Sequence, residues 1–180
     1  MKNLKSLAAV LTFLFISFGF TTASQWEIYE VADFKAKFPS KPTYESQVVN
    51  SAVGDLTMHI HTYQAVDSET EDNLVYGVIS TEYPDSIIDS NNPELMSSMF
   101  RSAIDGAVES VKGKLLTEKN ITLDKYQGRE IKVDYDNGAA FIRMRLYIVK
   151  NKMYILQTIT YAAKDNNASI NEFLNSFQLK

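Results

Sequence analysis

The chain has 180 residues, no cysteine, and 22 Asp and Glu against 18 Lys and Arg, for a formal net charge of −4. That balance argues against nucleic acid or anionic lipid as the main partner, since both favour a basic surface. The missing cysteine excludes disulfides, thiol chemistry, a thiolate metal site and attachment through a lipidated cysteine.

Lys2 and Lys5 precede an uncharged apolar run from Leu7 to Phe20, closed by the small residues Thr21, Thr22, Ala23 and Ser24. Basic, apolar and small in that order predict a secretory signal over residues 1–23, cleaved after Ala23 or one residue later. The run is shorter than the ~20 residues that span a bilayer, and no second run of spanning length follows. Residues 24–180 then form one exported domain, periplasmic or extracellular, without membrane insertion. A size on the order of 100–200 residues is ample for a single core. Loss of Lys2 and Lys5 makes the processed chain still more acidic.

Alternating apolar and polar residues dominate the remainder of the chain. Trp26–Val31 predicts a short strand, and Phe34–Phe38 leads into a proline-kinked segment, Pro39-Ser-Lys-Pro42. Tyr44–Val53 and Leu56–Ala65 predict a hairpin around Gly54-Asp55, which sets Val53 opposite Leu56, Val49 opposite Ile60 and Ser51 opposite Met58. Asp67–Asn73 predicts an acidic loop, and Leu74–Tyr83 a further strand. Asn92, Pro93 and Glu94 predict a helix start. Met96, Phe100, Ile104 and Val111 continue its apolar stripe, and Gly113 is the expected stop. Gly106 inside it suggests close packing at that point. Arg129–Asp136 and Ala139–Val149 flank Asn137-Gly138, a strong hairpin signal. It pairs Val133 with Ile142, Ile131 with Met144 and Glu130 with Arg145. A second turn near Asn151-Lys152 sets Ile148 by Ile155, Met144 by Ile159, Tyr147 by Leu156 and Val149 by Tyr154. Apolar pairs on both faces call for cover on both sides. Ile170, Phe173, Leu174 and Phe177, after cap candidates at Asp165–Asn167, predict a C-terminal helix as one cover. The expected class is α+β: an α/β/α sandwich with a central antiparallel sheet, one long central helix and a C-terminal helix.

Four stretches carry a family resemblance: Phe38-Pro39-Ser40-Lys41-Pro42, Tyr126-Gln-Gly-Arg-Glu130, Arg145-Leu-Tyr-Ile-Val-Lys-Asn-Lys-Met-Tyr154 and Phe173-Leu-Asn-Ser-Phe177. In their order the chain, over roughly 25–180, resembles the PsbP-like and DcrB-like superfamily, whose sandwich is shared with the small Ran-binding nuclear import factor. The resemblance implies exported or lumenal proteins without catalysis that bind, or support assembly of, larger complexes. It supplies no catalytic residues, and the lipoprotein cysteine of the DcrB type is missing here.

Two constellations could carry chemistry. His59 and His61, two apart on one strand, share a face with Tyr63 and could give two metal ligands, where zinc wants at least a third. The alternative is a polar outer face opposite core residues Leu56, Met58 and Ile60. Arg143 and Arg145, with Lys132 and Glu130 opposite, form a charged patch on the outer face of the hairpin. Two guanidiniums can grip a carboxylate or phosphate, or pair across strands with Glu130 and Asp134. No nucleophile elbow or phosphate-cradling glycine loop is present, so an enzyme is disfavoured and no cofactor is expected. The reading is an exported non-catalytic protein that binds a protein partner, with a small-ligand or metal module at His59/His61 or Arg143/Arg145 as the alternative. Amino-terminal sequencing of the protein recovered outside the cytosol should begin at Ser24 or Gln25; an uncleaved Met1 start would contradict the signal.

Overall fold

A computed structural model describes residues 26–51, 53–66, 71–88 and 92–180. The expected signal over 1–23 and residues 67–70 of the expected acidic loop lie outside them.

Among the described residues ten strands and two α-helices follow one another. They are β1 (Glu27–Glu30), β2 (Phe34–Phe38), β3 (Thr43–Ser51), β4 (Gly54–Gln64), β5 (Val75–Glu82), α1 (Pro93–Ser110), β6 (Lys114–Leu123), β7 (Tyr126–Tyr135), β8 (Ala140–Val149), β9 (Lys152–Tyr161), α2 (Ala168–Ser176) and β10 (Gln178–Leu179). Seven strands form one sheet in the order β3-β4-β5-β9-β8-β7-β6, and β1-β2-β10 form a second. Every pairing is antiparallel.

The large sheet buries apolar residues on both faces. On one, Met96, Phe100 and Ile104 of α1 pack on Ile131, Val133, Ile142, Met144, Leu146 and Ile148. On the other, Ile170, Phe173 and Leu174 of α2 join Phe34, Ala36 and Phe38 of β2 over Tyr76, Val78, Tyr147, Tyr154 and Leu156. The α+β class and the antiparallel sheet therefore hold. The long helix is central only in chain order and lies on one face. The opposite layer is not helix alone, because α2 shares it with the three-stranded sheet.

The Asn-Gly hairpin has the expected register, with Val133 opposite Ile142, Ile131 opposite Met144 and Glu130 opposite Arg145. Asp136, Asn137 and Gly138 all take positive φ there, conformations that Asn, Asp and Gly tolerate best. Two other registers differ from expectation. In the first hairpin Ser51 faces Gly54, and Val49 faces Leu56 rather than Ile60, so the turn falls before Gly54-Asp55 rather than on it. Ser51 Oγ donates to Gly54 O at 2.7 Å and accepts from Val53 N–H at 3.2 Å, and Asn50 Nδ2 donates to Asp55 Oδ1 at 2.8 Å. These bonds make Asp55 a strand residue, and Gly54, at φ 104°, closes the turn. In β8–β9 Val149 faces Lys152 and Tyr147 faces Tyr154, which moves the turn to Lys150-Asn151. Asn151 is held by β5's end: its carbonyl accepts from Tyr83 N–H at 2.8 Å, and its amide donates to Tyr83 O at 3.3 Å. Both displacements are even, so each side chain keeps its face.

Asn92 caps α1, its side chain accepting from Glu94 and Leu95 N–H. The helix ends at Val111, with Lys112, not Gly113, in the left-handed region at φ 50°. Gly113 serves close approach instead, since a Cβ there would lie 2.6 Å from Val133 Cγ1 and 2.7 Å from Asp134 O. Strands β6 and β10 were not expected from the sequence. β6 is a polar edge strand whose register shifts between Leu115 and Thr117, which breaks the alternation that would announce it. β10 adds two residues to β2.

The expected close packing at Gly106 is not found: a Cβ there would meet nothing within 4 Å. Gly106→Ala should therefore raise stability by up to about 1 kcal/mol. Gly128→Ala should lower it by about 1–3 kcal/mol, because its Cβ would lie 2.5 Å from Tyr147 Cδ1 and 2.7 Å from Leu146 O. Urea unfolding of both variants checks the opposite signs.

Candidate functional site

The turn between β1 and β2 overhangs one end of the large sheet and encloses a cleft of about 390 Å³ with β3, β4 and β5. Tyr29, Phe34, Tyr44, His59, His61 and Ser80 line it, and Asp33, Glu82 and Lys152 stand at its rim. Residues two apart on a strand share a face, which puts both imidazoles on this side. Here that face lies under β1 and β2, so His61 is 7% exposed and the expected polar outer face is corrected. The opposite residues Met58 and Ile60 are only half-buried, because α1 packs over β7 and β8 rather than β4.

Each imidazole is held by a tyrosine through Nδ1: His61 with the Tyr29 hydroxyl at 3.0 Å, and His59 with the Tyr44 hydroxyl at 2.9 Å. Tyr44 stacks on His59 with an interplanar angle of 10°, and its ring centre lies 5.0 Å from that of His61. Phe34 meets His61 edge-on at 5.3 Å. Burial, then the neighbouring His59, pushes the His61 imidazole below its ordinary value. At the rim Lys152 Nζ sits 2.7 Å from Asp33 Oδ2 and 3.3 Å from Glu82 Oε2, and its hydrogen bond to Asp33 leads the effects that raise its pKa. Among the described residues no group of three or more His, Cys, Asp or Glu side chains is arranged to hold a metal.

The Arg143/Arg145 group lies elsewhere, on the side of the sheet that carries α2. Its side chains are largely covered: Arg143 is 23% exposed, Arg145 17%, Lys132 20% and Glu130 13%. The expected outward-facing patch is corrected to a clamp. Arg145 Nε donates to Glu130 Oε2 at 2.7 Å, while its Nη1 reaches Leu174 O at 3.0 Å and Asn175 Oδ1 at 2.8 Å. A guanidinium thus meets a carbonyl of the last turn of α2, where carbonyls lack helical partners and the dipole is negative. Arg143 turns from Glu130 and Asp134 to Asp165, at 3.2 Å, and to Asn166. Lys132 also takes Asp165, and Asp134 accepts from Gly138 N–H. Burial alone would raise the Glu130 carboxyl; the bonds from Lys119 and Arg145 outweigh it and leave it below its ordinary 4.5. Asp165 is lowered in the same way by Lys132 and Arg143.

The sequence reading did not nominate Tyr29, Phe34, Tyr44 or Ser80. The true hairpin register would have found Tyr44, which faces His61 directly. Tyr29 and Phe34 arrive through packing between layers, for which no local signal exists.

These directions set the pH response. His61, lowered in the folded state, contributes stability that is lost as pH falls below its unfolded value of about 6.5. Glu130 and Asp165 lose theirs only in more acid solution, as pH falls below about 4 through their lowered folded values. Melting temperature should fall in two stages on acidification, and His61→Gln should remove the first while sparing the second. An unchanged first stage would show that His61 does not cause it.

No family model matches the chain, and no curated protein matches it. Among solved structures its fold is similar to the solution structure of cyanobacterial PsbP (CyanoP) from Synechocystis sp. PCC 6803. That match has a TM-score of 0.57 and 12% sequence identity, and it covers 91% of this chain and 98% of that one. At so low an identity the likeness concerns the fold, and the fold is PsbP-like.

Proposed function

We propose that this is an exported, non-catalytic protein that binds a protein partner or assists assembly of an envelope or secreted complex, and that the Tyr44–His59 cleft is its contact surface. The observation that carries the reading is the PsbP-like fold over nearly the whole chain, a fold whose family resemblance implies accessory proteins of larger complexes. The cleft supports it with Tyr44, an aromatic residue 54% exposed at the mouth. Exposed tyrosines beside a preformed concavity are favoured anchors at interfaces. Catalysis fits the same residues poorly. Ser80 faces His59 across β4 and β5, but the His59 Nδ1 meets a tyrosine and not a carboxylate, and both rim carboxylates are tied to Lys152. The Arg143/Arg145 group enters this reading as the clamp on α2.

A second reading, a small-ligand module, is favoured by the cleft's volume, which falls within the roughly 300–1,000 Å³ usual for ligand sites. Its metal form would need a third ligand beside His59 and His61. Crosslinking in cells that naturally make the protein, followed by quantitative capture, separates the readings. A partner recovered by the wild type should fall about tenfold with Tyr44→Ala, the loss expected of an anchor. Recovery of nothing above background would overturn the proposal, and a partner indifferent to Tyr44→Ala would move the contact off the cleft. Zinc titration addresses the metal form: no heat and no change in melting temperature would end it.

A further inference from the structure

Among the described residues the large sheet has two open edges, β3 and β6, and they are built differently. β6 carries Lys114, Glu118 and Lys119 and breaks register between Leu115 and Thr117. Two of these charges are also tied down, Glu118 to Arg101 at 2.9 Å and Lys119 to Glu130 at 2.7 Å. Charges and a bulge are the usual means of discouraging a further strand. β3 has neither defence: its nine residues pair with β4 without a break, and Glu45 is the one charge among them. Val48 on this edge is 64% exposed. A long, unbroken, nearly uncharged edge offers a row of backbone donors and acceptors to another strand.

We propose that β3 pairs antiparallel with β3 of a second copy of this chain, giving a two-fold dimer with one continuous sheet. An axis perpendicular to the sheet keeps each face on its own side, so residues of equal parity meet. With Val48 on the axis, Val48 faces its counterpart, Gln47 faces Val49, Ser46 faces Asn50 and Glu45 faces Ser51. No like charges oppose one another, and a β-branched pair stands at the centre, an arrangement that favours cross-strand pairing. The strand's own sequence therefore makes it complementary to itself, which selects the second copy as occupant. The layers over the sheet are anchored away from this edge: α1 on β7 and β8, and β2 through Phe34 on Tyr154 of β9 and His61 of β4. A two-fold contact leaves the guarded β6 edges outermost, so association closes at two chains.

The sequence has no cysteine, so Val48→Cys places one thiol on the axis. Directly opposed residues in an antiparallel pair have Cα atoms about 4.5–5.5 Å apart, within disulfide reach. Val48→Cys should oxidise to a covalent dimer about tenfold faster, or more, than Leu116→Cys on the other edge, because pairing raises the local thiol concentration. In sedimentation at ~100 µM, a level that populates contacts of micromolar affinity, the wild type should show twice the chain mass. Val48→Lys should show the single-chain mass with an unchanged circular dichroism spectrum. A monomeric wild type, a dimer that Val48→Lys leaves intact, or equal oxidation at both edges would each overturn the dimer. A monomeric wild type whose captured partner is lost on Val48→Lys would assign the edge to that partner, overturning the dimer while the binding function stands.

Discussion

The central pair of strands, β8 and β9, is apolar on both faces, and the rest of the molecule answers to that. Along the pair, Tyr147 and Tyr154 face one way while Ile148 and Met153 face the other, all buried. A strand pair of this kind cannot stand at a solvent surface, since burying each large side chain is worth about 1.5–3 kcal/mol relative to exposure. One cover comes from the middle of the chain as α1, and the other from the first and last described elements, β1–β2 and α2–β10. The first and last described elements therefore meet in one layer: β10 pairs with β2, and Phe34, Phe173 and Phe177 enter the same cluster.

Polar contacts position the covers that apolar packing holds. α2 is tied at both ends to the sheet or its loops. At its start Asn167 accepts from Ile170 N–H and bonds Asn73, which also holds the hydroxyl of Tyr76. At its close Arg145 reaches the Leu174 carbonyl. Buried hydrogen-bonded groups of this kind contribute little net energy each but are costly to leave unpaired, so they favour one placement of the helix over its neighbours. The charged residues that a sequence reader takes for a ligand patch are used up in this work.

Asymmetry of cover creates the surfaces with functional promise. α1 lies toward β7 and β8 and leaves the β3–β4 end of its face thinly covered, with an apolar groove of about 370 Å³ between Met58 and Ala103. On the other side β1 and β2 reach over β4 but not beyond β3, which opens the cleft at His59 and His61. Cleft and open edge both sit at the β3 end of the sheet, where neither layer finishes the job.

Much of this was legible locally. The Asn-Gly hairpin with its register, the capped α1, the second cover from α2 and the two-faced central strands all follow from turn chemistry and periodicity, which depend on neighbouring residues. Two turns were displaced by even steps because Ser51 and Asn151 make bonds that compete with the glycine and asparagine signals. Faces survived since a strand's side chains alternate with period two. By itself the sequence determined the acidic, cysteine-free character, the α+β class and which residues share a face. Only the tertiary structure decided that the histidine face is the buried one, that the arginines clamp α2, and that β3, paired with β4 alone among the described residues, stands at an edge of the sheet. Those outcomes rest on which layer covers which part of the sheet, a matter of contacts between residues far apart in the chain that no local pattern encodes.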